Sequence, residues 1–68
     1  MSNIAWESEG KNLYISRVRG GYELIANVRS GANYIGVFVG YSPKIESLIR
    51  TGTKLDRYPA NLQRVYGQ

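Results

Sequence analysis

Between Asn12 and Gly40, apolar and polar residues alternate with a period of two, and glycines break the alternation twice. A period of two marks strands with one buried face, because successive side chains point to opposite sides of a sheet. The breaks, Gly20-Gly21 and Ser30-Gly31, are turn signals, since tight hairpins need a positive φ. The pattern predicts three antiparallel strands over Asn12–Arg19, Tyr22–Arg29 and Ala32–Val39.

Two-residue turns at both breaks set the register. Arg19 then opposes Tyr22, Arg17 opposes Leu24, Ile15 opposes Ala26 and Leu13 opposes Val28. Across the second turn, Val28 opposes Asn33, Ala26 opposes Ile35, Leu24 opposes Val37 and Tyr22 opposes Val39. One face collects Leu13, Ile15, Leu24, Ala26, Val28, Ile35, Val37 and Val39, with Arg17 and Arg19 at its first-hairpin end. The other face is mixed: Tyr14, Ser16, Val18, Glu23, Ile25, Asn27, Arg29, Tyr34, Gly36 and Phe38.

A helix is expected over residues 43–51. Ser42 suits the N-cap and Pro43 the first helical position. Ile45, Leu48 and Ile49 form an apolar stripe, Arg50 sits in the last turn, and Gly52 closes the helix in a left-handed cap. Residues 1–10 form an N-terminal arm or an edge strand with Ile4 and Trp6 on one face, and Gly10 permits a turn. In the tail, residues 53–68, Pro59 starts a second short helix with Leu62, Val65 and Tyr66 on one side and Gly67 at its end. Alternatively the tail is extended across the mixed face. The expected fold is a single α+β domain over 1–68. Its core is an antiparallel meander of three strands, or four if the N-terminal segment joins, with one short helix packed on one face.

Composition narrows the chemistry. The 68 residues contain no Cys and no His. That removes disulfides, thiolate and imidazole metal ligands, and the commonest general base. Five scattered carboxylates and no phosphate-binding glycine loop make an enzyme unexpected, and no metal or cofactor is expected. The lack of Cys suits a cytoplasmic location. The start MSNIAWESEG lacks the basic and apolar regions of a signal peptide. No apolar run approaches the ~20 residues of a membrane span, so no membrane partner is expected.

Nine Lys and Arg face five Asp and Glu, a net charge of +4, which favours an anionic partner. Lys11, Arg17, Arg19 and Arg29 lie on or beside the strands, where they can meet phosphates or guanine edges. Tyr14 and Tyr34, with Phe38, share the mixed face with Asn27 and Arg29. Aromatic rings beside a cation can stack unpaired bases. The same residue types build protein interfaces, for which Tyr14, Ile25, Tyr34 and Phe38 are the candidates. A third reading covers the mixed face with the chain's own Trp6, Tyr58 and Tyr66.

The order of three strands and a helix resembles the three-stranded DNA-binding domains: the arm-binding domains of phage tyrosine recombinases and the plant ethylene-response-factor type domain. The matching residues are Asn12–Ile15, Gly21-Tyr22, Val28-Arg29, Gly31, Ile35-Gly36 and Phe38, then Ile45–Ile49, within Asn12 to Arg50. The resemblance implies that the sheet face opposite the helix enters the major groove, with Tyr14, Ser16, Asn27, Arg29 and Tyr34 as contacts. Arg17 and Arg19 would flank it on phosphates. The chain departs from the family in carrying Val18, Glu23 and Ile25 on a face usually rich in Arg and Lys, and in a shorter helix.

The expected function is therefore a small non-enzymatic DNA-binding protein, an accessory factor of phage or plasmid type. The alternative is a protein-binding module or phage-type inhibitor that docks its sheet face or edge on a host protein. A homodimer through a free strand edge is compatible with either.

Overall fold

The computed structural model describes residues 3–67. Four strands, β1 (Ile4–Glu7), β2 (Leu13–Val18), β3 (Gly21–Ser30) and β4 (Asn33–Ser42), precede two helices, α1 (Ile45–Asp56) and α2 (Pro59–Tyr66). The strands form one antiparallel sheet in the order β1-β2-β3-β4. The N-terminal segment is thus an edge strand, and the tail is a second helix.

Both hairpins turn one residue away from the expected positions. Val18 pairs with Gly21 around Arg19-Gly20, where Gly20 has a φ of +86°. Ser30 pairs with Asn33 around Gly31-Ala32, where Gly31 has a φ of +62°. Gly31 at the first central position is the type II′ arrangement that matches strand twist. Sliding a two-residue turn by one position moves every cross-strand partner by two. Leu13 therefore meets Ala26 rather than Val28, and Arg17 meets Tyr22 rather than Leu24. A shift of two leaves side-chain parity unchanged, so the two faces survive the correction.

The inner face is buried as expected. Leu13, Ile15, Leu24, Ala26 and Val28 form the core with Leu48 of α1 and Leu62 of α2, and Ile35, Val37 and Val39 pack against it. Each large side chain so buried contributes roughly 1.5–3 kcal/mol. The last strand, expected to end at Val39, runs on as β4 to Ser42. An extra residue, Val39, lies between the pairs Ile25/Phe38 and Leu24/Gly40. This bulge lets β4 continue to Ser42, with Tyr41 opposite Glu23 on the outer face.

A second irregularity corrects the N-terminal reading. β1 slips between the pairs Ile4/Ser16 and Trp6/Ile15, leaving Ala5 as the extra residue. Ile4 and Trp6 consequently lie on opposite faces. Trp6 joins the core side, while Ile4 is 45% exposed.

The first helix starts later and runs longer than expected. Ser42 is not its N-cap. Its Oγ accepts the Lys44 N–H at 3.1 Å in the turn before Ile45. Gly52 does not end it either, but is buried inside it. A Cβ at Gly52 would lie 2.8 Å from Cζ3 of Trp6 and 3.4 Å from Cδ1 of Leu24. The missing side chain is what lets helix, indole and sheet meet. Leu55 extends the apolar stripe one turn further. The helix stops before Pro59, which forces Tyr58 out of helical geometry (φ −130°, ψ 66°). In α2, Leu62 is buried and Tyr66 packs on the core, but Val65 is 64% exposed rather than inward.

The connection from β1 to β2 is held by polar groups. Ser8 Oγ, itself buried, accepts the N–H groups of Asn12 and Leu13, each at 3.1 Å. Asp56 at the end of α1 accepts the Gly10 N–H at 3.0 Å and the Asn12 side-chain amide at 3.1 Å. No helix among the described residues is long and apolar enough to cross a membrane.

Candidate functional site

Both helices cover the inner face, and the outer face of the sheet stays open. The strand registers set its side chains in rows. Glu7, Tyr14, Ile25 and Phe38 form one row across all four strands. Ile4, Ser16, Glu23 and Tyr41 form a second. Asn27 with Gly36, and Arg29 with Tyr34, continue toward the second hairpin. Tyr34 is 69% exposed, Phe38 55% and Tyr41 52%.

Local packing fixes part of this surface. A Cβ at Gly36 would lie 3.0 Å from Ile25 Cγ2 and 3.1 Å from the Tyr14 hydroxyl oxygen. Tyr14 thus reaches from β2 across β3 to the space Gly36 leaves on β4. Tyr41 donates its hydroxyl to the Gly20 carbonyl at 2.9 Å and so spans to the first turn. The reading in which the chain's own ends cover the face is overturned. Trp6 and Tyr66 pack on the inner side, and Tyr58 is 58% exposed.

At the second-hairpin end lies a cleft of about 300 Å³, walled by Asn12, Asn27, Arg29, Tyr34 and Gln63 with the start of α2. Its back wall follows from strand lengths. The β2–β3 ladder ends at the Asn27 N–H, which donates to the Asn12 carbonyl at 2.8 Å. Beyond it, the Gln63 side chain takes the place of a strand. Its Oε1 accepts the Arg29 N–H at 2.8 Å, and its Nε2 donates to the Arg29 carbonyl at 2.9 Å. Both polar ends of Gln63 are used to hold β3, which fixes the backbone from which Arg29 projects.

The structure brings together Asn27, Arg29 and Tyr34 of the residues expected to bind nucleic acid. Tyr14, Ile25 and Phe38 share their face. The other three cations sit elsewhere. Lys11, in a left-handed turn conformation (φ 60°), pairs with Glu7 at 3.2 Å. Arg17 lies at the inner-face end, where Nη1 donates to the Ile4 carbonyl at 3.3 Å. Arg19 is exposed in the first turn, at the opposite end of β3 from Arg29.

One basic cluster escaped the sequence reading. Arg50, Thr53, Lys54 and Arg57 line a shallow groove of about 410 Å³ on α1, facing away from the sheet. Their spacing is that of one helical face. The signal was present but hidden, because the helix was expected to end at Gly52.

Asp56 has a structural explanation. Partial burial pushes the Asp56 carboxyl up, but hydrogen bonds from Gly10, Asn12 and Ser8 outweigh this and hold it below its usual value. It serves as a tether between α1 and the β1–β2 turn. Among the described residues, no group of three or more acidic, Cys or His side chains is placed to hold a metal ion. No protein-family model, curated protein or solved structure matches the chain.

Proposed function

We propose that this is a non-enzymatic nucleic-acid-binding protein, acting on DNA through the outer face of its sheet. The observation that carries the reading is the convergence of Asn27, Arg29 and Tyr34, all on the outer face of the sheet, around one cleft at its second-hairpin end, where the start of α2 forms the opposite wall. Tyr34 offers a ring for stacking an unpaired base, Asn27 an amide for its edge, and Arg29 a charge for the adjoining phosphate. Tyr14 and Phe38 extend the platform along the neighbouring row. The open face also has the layout that a three-stranded DNA reader requires, with helices behind and side chains forward.

Fluorescence anisotropy with labelled single-stranded DNA, duplex DNA and RNA, each at two salt concentrations, tests this. Affinity should fall as salt rises, because phosphate contacts release counterions. Tyr34→Ala should weaken binding by roughly 1–3 kcal/mol, the worth of one stacked base. Arg29→Ala should lower the salt slope by about one. Absence of binding to all three at low salt would remove the proposal.

A protein partner is the second reading, and Glu23 in the middle of the face with Ile25 and Phe38 beside it favours it. An apolar surface with an acidic centre suits a protein better than a phosphate backbone. Capture of one protein that survives nuclease and high salt, and is lost in Phe38→Ala, would support this reading over the first.

A further inference from the structure

We propose that β4 pairs antiparallel with β4 of a second copy of this chain, about a two-fold axis through Gly36. The two edges of the sheet differ in how they meet solvent. β1 has four residues, is bulged at Ala5 and ends in Glu7. Those are the usual protections of an edge against a further strand. β4 has ten residues, NYIGVFVGYS, with no charged residue and no proline. In a chain of net charge +4, an uncharged strand is where two copies meet without repelling.

The backbone supplies the bonds. Ser30 and Asn33 close the two-residue hairpin, and such a closing pair exchanges both of its hydrogen bonds. By alternation, Tyr34, Gly36 and Phe38 then point their N–H and C=O groups away from β3. No turn, loop or cap hydrogen bond among the described residues uses them. They form a free row along the edge.

The side chains supply the symmetry. Read outward from Gly36, the strand has a β-branched residue and then an aromatic one in each direction: Ile35 and Tyr34 one way, Val37 and Phe38 the other. A two-fold antiparallel pairing centred on Gly36 sets Tyr34 opposite the partner's Phe38 and Ile35 opposite the partner's Val37. Both are favourable cross-strand pairs. The bulge at Val39 ends the regular run just beyond Phe38, which selects this register over one centred further along the strand. The product is one continuous sheet with all four helices on one side. Its outer face carries Tyr34 beside the partner's Phe38. This goes beyond the nucleic-acid reading and stands or falls without it.

Sedimentation equilibrium of the full chain without nucleic acid, from micromolar to near-millimolar concentration, tests the pairing. The mass should rise from 7.6 kDa toward twice that value. Tyr34→Lys combined with Phe38→Lys places like charges opposite each other and should hold the chain at the monomer mass. Tyr34→Glu combined with Phe38→Lys places opposite charges together in this register, and should restore a dimer that weakens with salt. Both substituted side chains are exposed, and circular dichroism checks that the fold is kept. A wild-type chain that stays monomeric throughout would overturn the proposal. So would a Lys/Lys variant that dimerises like wild type, or a Glu/Lys variant as monomeric as the Lys/Lys one.

Discussion

On the inner face of the sheet, Leu13, Ile15, Leu24, Ala26 and Val28 are at most 2% exposed. On the outer face, Tyr34, Phe38 and Tyr41 are each more than half exposed. Both faces carry large apolar side chains, so hydrophobicity alone does not separate them. The separation comes from the helices. α1 and α2 place Leu48 and Leu62 against the inner face, and among the described residues no element lies against the outer one. A sheet with apolar residues on an uncovered face carries more of them than folding uses, and in the proposed reading that surplus serves association. The inner face should therefore govern stability, and the outer face association.

The largest test of that division is Leu24→Ala. Removing a fully buried leucine should cost about 2–5 kcal/mol, read from the urea midpoint. A cost no greater than that of Phe38→Ala would undo the assignment of faces.

Next comes Gly52→Ala. Helix propensity alone favours alanine by about 1 kcal/mol. The new methyl would meet the Trp6 ring at 2.8 Å, and overpacking costs about 1–3 kcal/mol. A net loss of about 1 kcal/mol with a change in Trp6 fluorescence is expected. A gain in stability would show that the helix does not lean on the indole.

Acid should act through Asp56. Its folded pKa lies below the usual value of 3.8, so its stabilisation is present above that value and is lost as pH falls through the lower folded one. Stability measured by thermal unfolding should drop below about pH 4, and Asp56→Asn should flatten that drop. An unchanged acid limb in the variant would remove Asp56 as its source.

The smallest effect on folding belongs to Phe38→Ala. Its stability should stay within about 0.5 kcal/mol of wild type, while association through the outer face or the β4 edge weakens. A loss of stability comparable with Leu24→Ala would show that the outer face is a core in its own right.

Much of the fold was legible along the chain. The period-two alternation identified which residues face inward even though both turns were misplaced by one residue. The reason is geometric: such a slip moves partners by two and preserves parity. Asn27, Arg29 and Tyr34 were legible as candidates for the same reason, since parity put them on one face. Their gathering around a cleft was not. It depends on β2 being shorter than β3 and on Gln63 arriving from a helix more than thirty residues away. The basic stripe of α1 was lost for a local reason. Gly52 reads as a helix stop by propensity, and only contact with Trp6 turns it into a helix interior.

By itself, then, the sequence determined the three strands of the meander, the two faces, the charge and the absence of Cys and His chemistry. These follow from local periodicity and composition, which need no knowledge of distant contacts. Tertiary structure decided where the turns close, where β1 and β4 bulge, how far α1 runs, and which side the tail takes. The length of α1 and the side the tail takes rest on contacts between residues far apart in the chain: Trp6 against Gly52, Asp56 against Gly10, Gln63 against Arg29. Local propensity is worth about 1 kcal/mol or less at each such position, and a single long-range contact is enough to outweigh it.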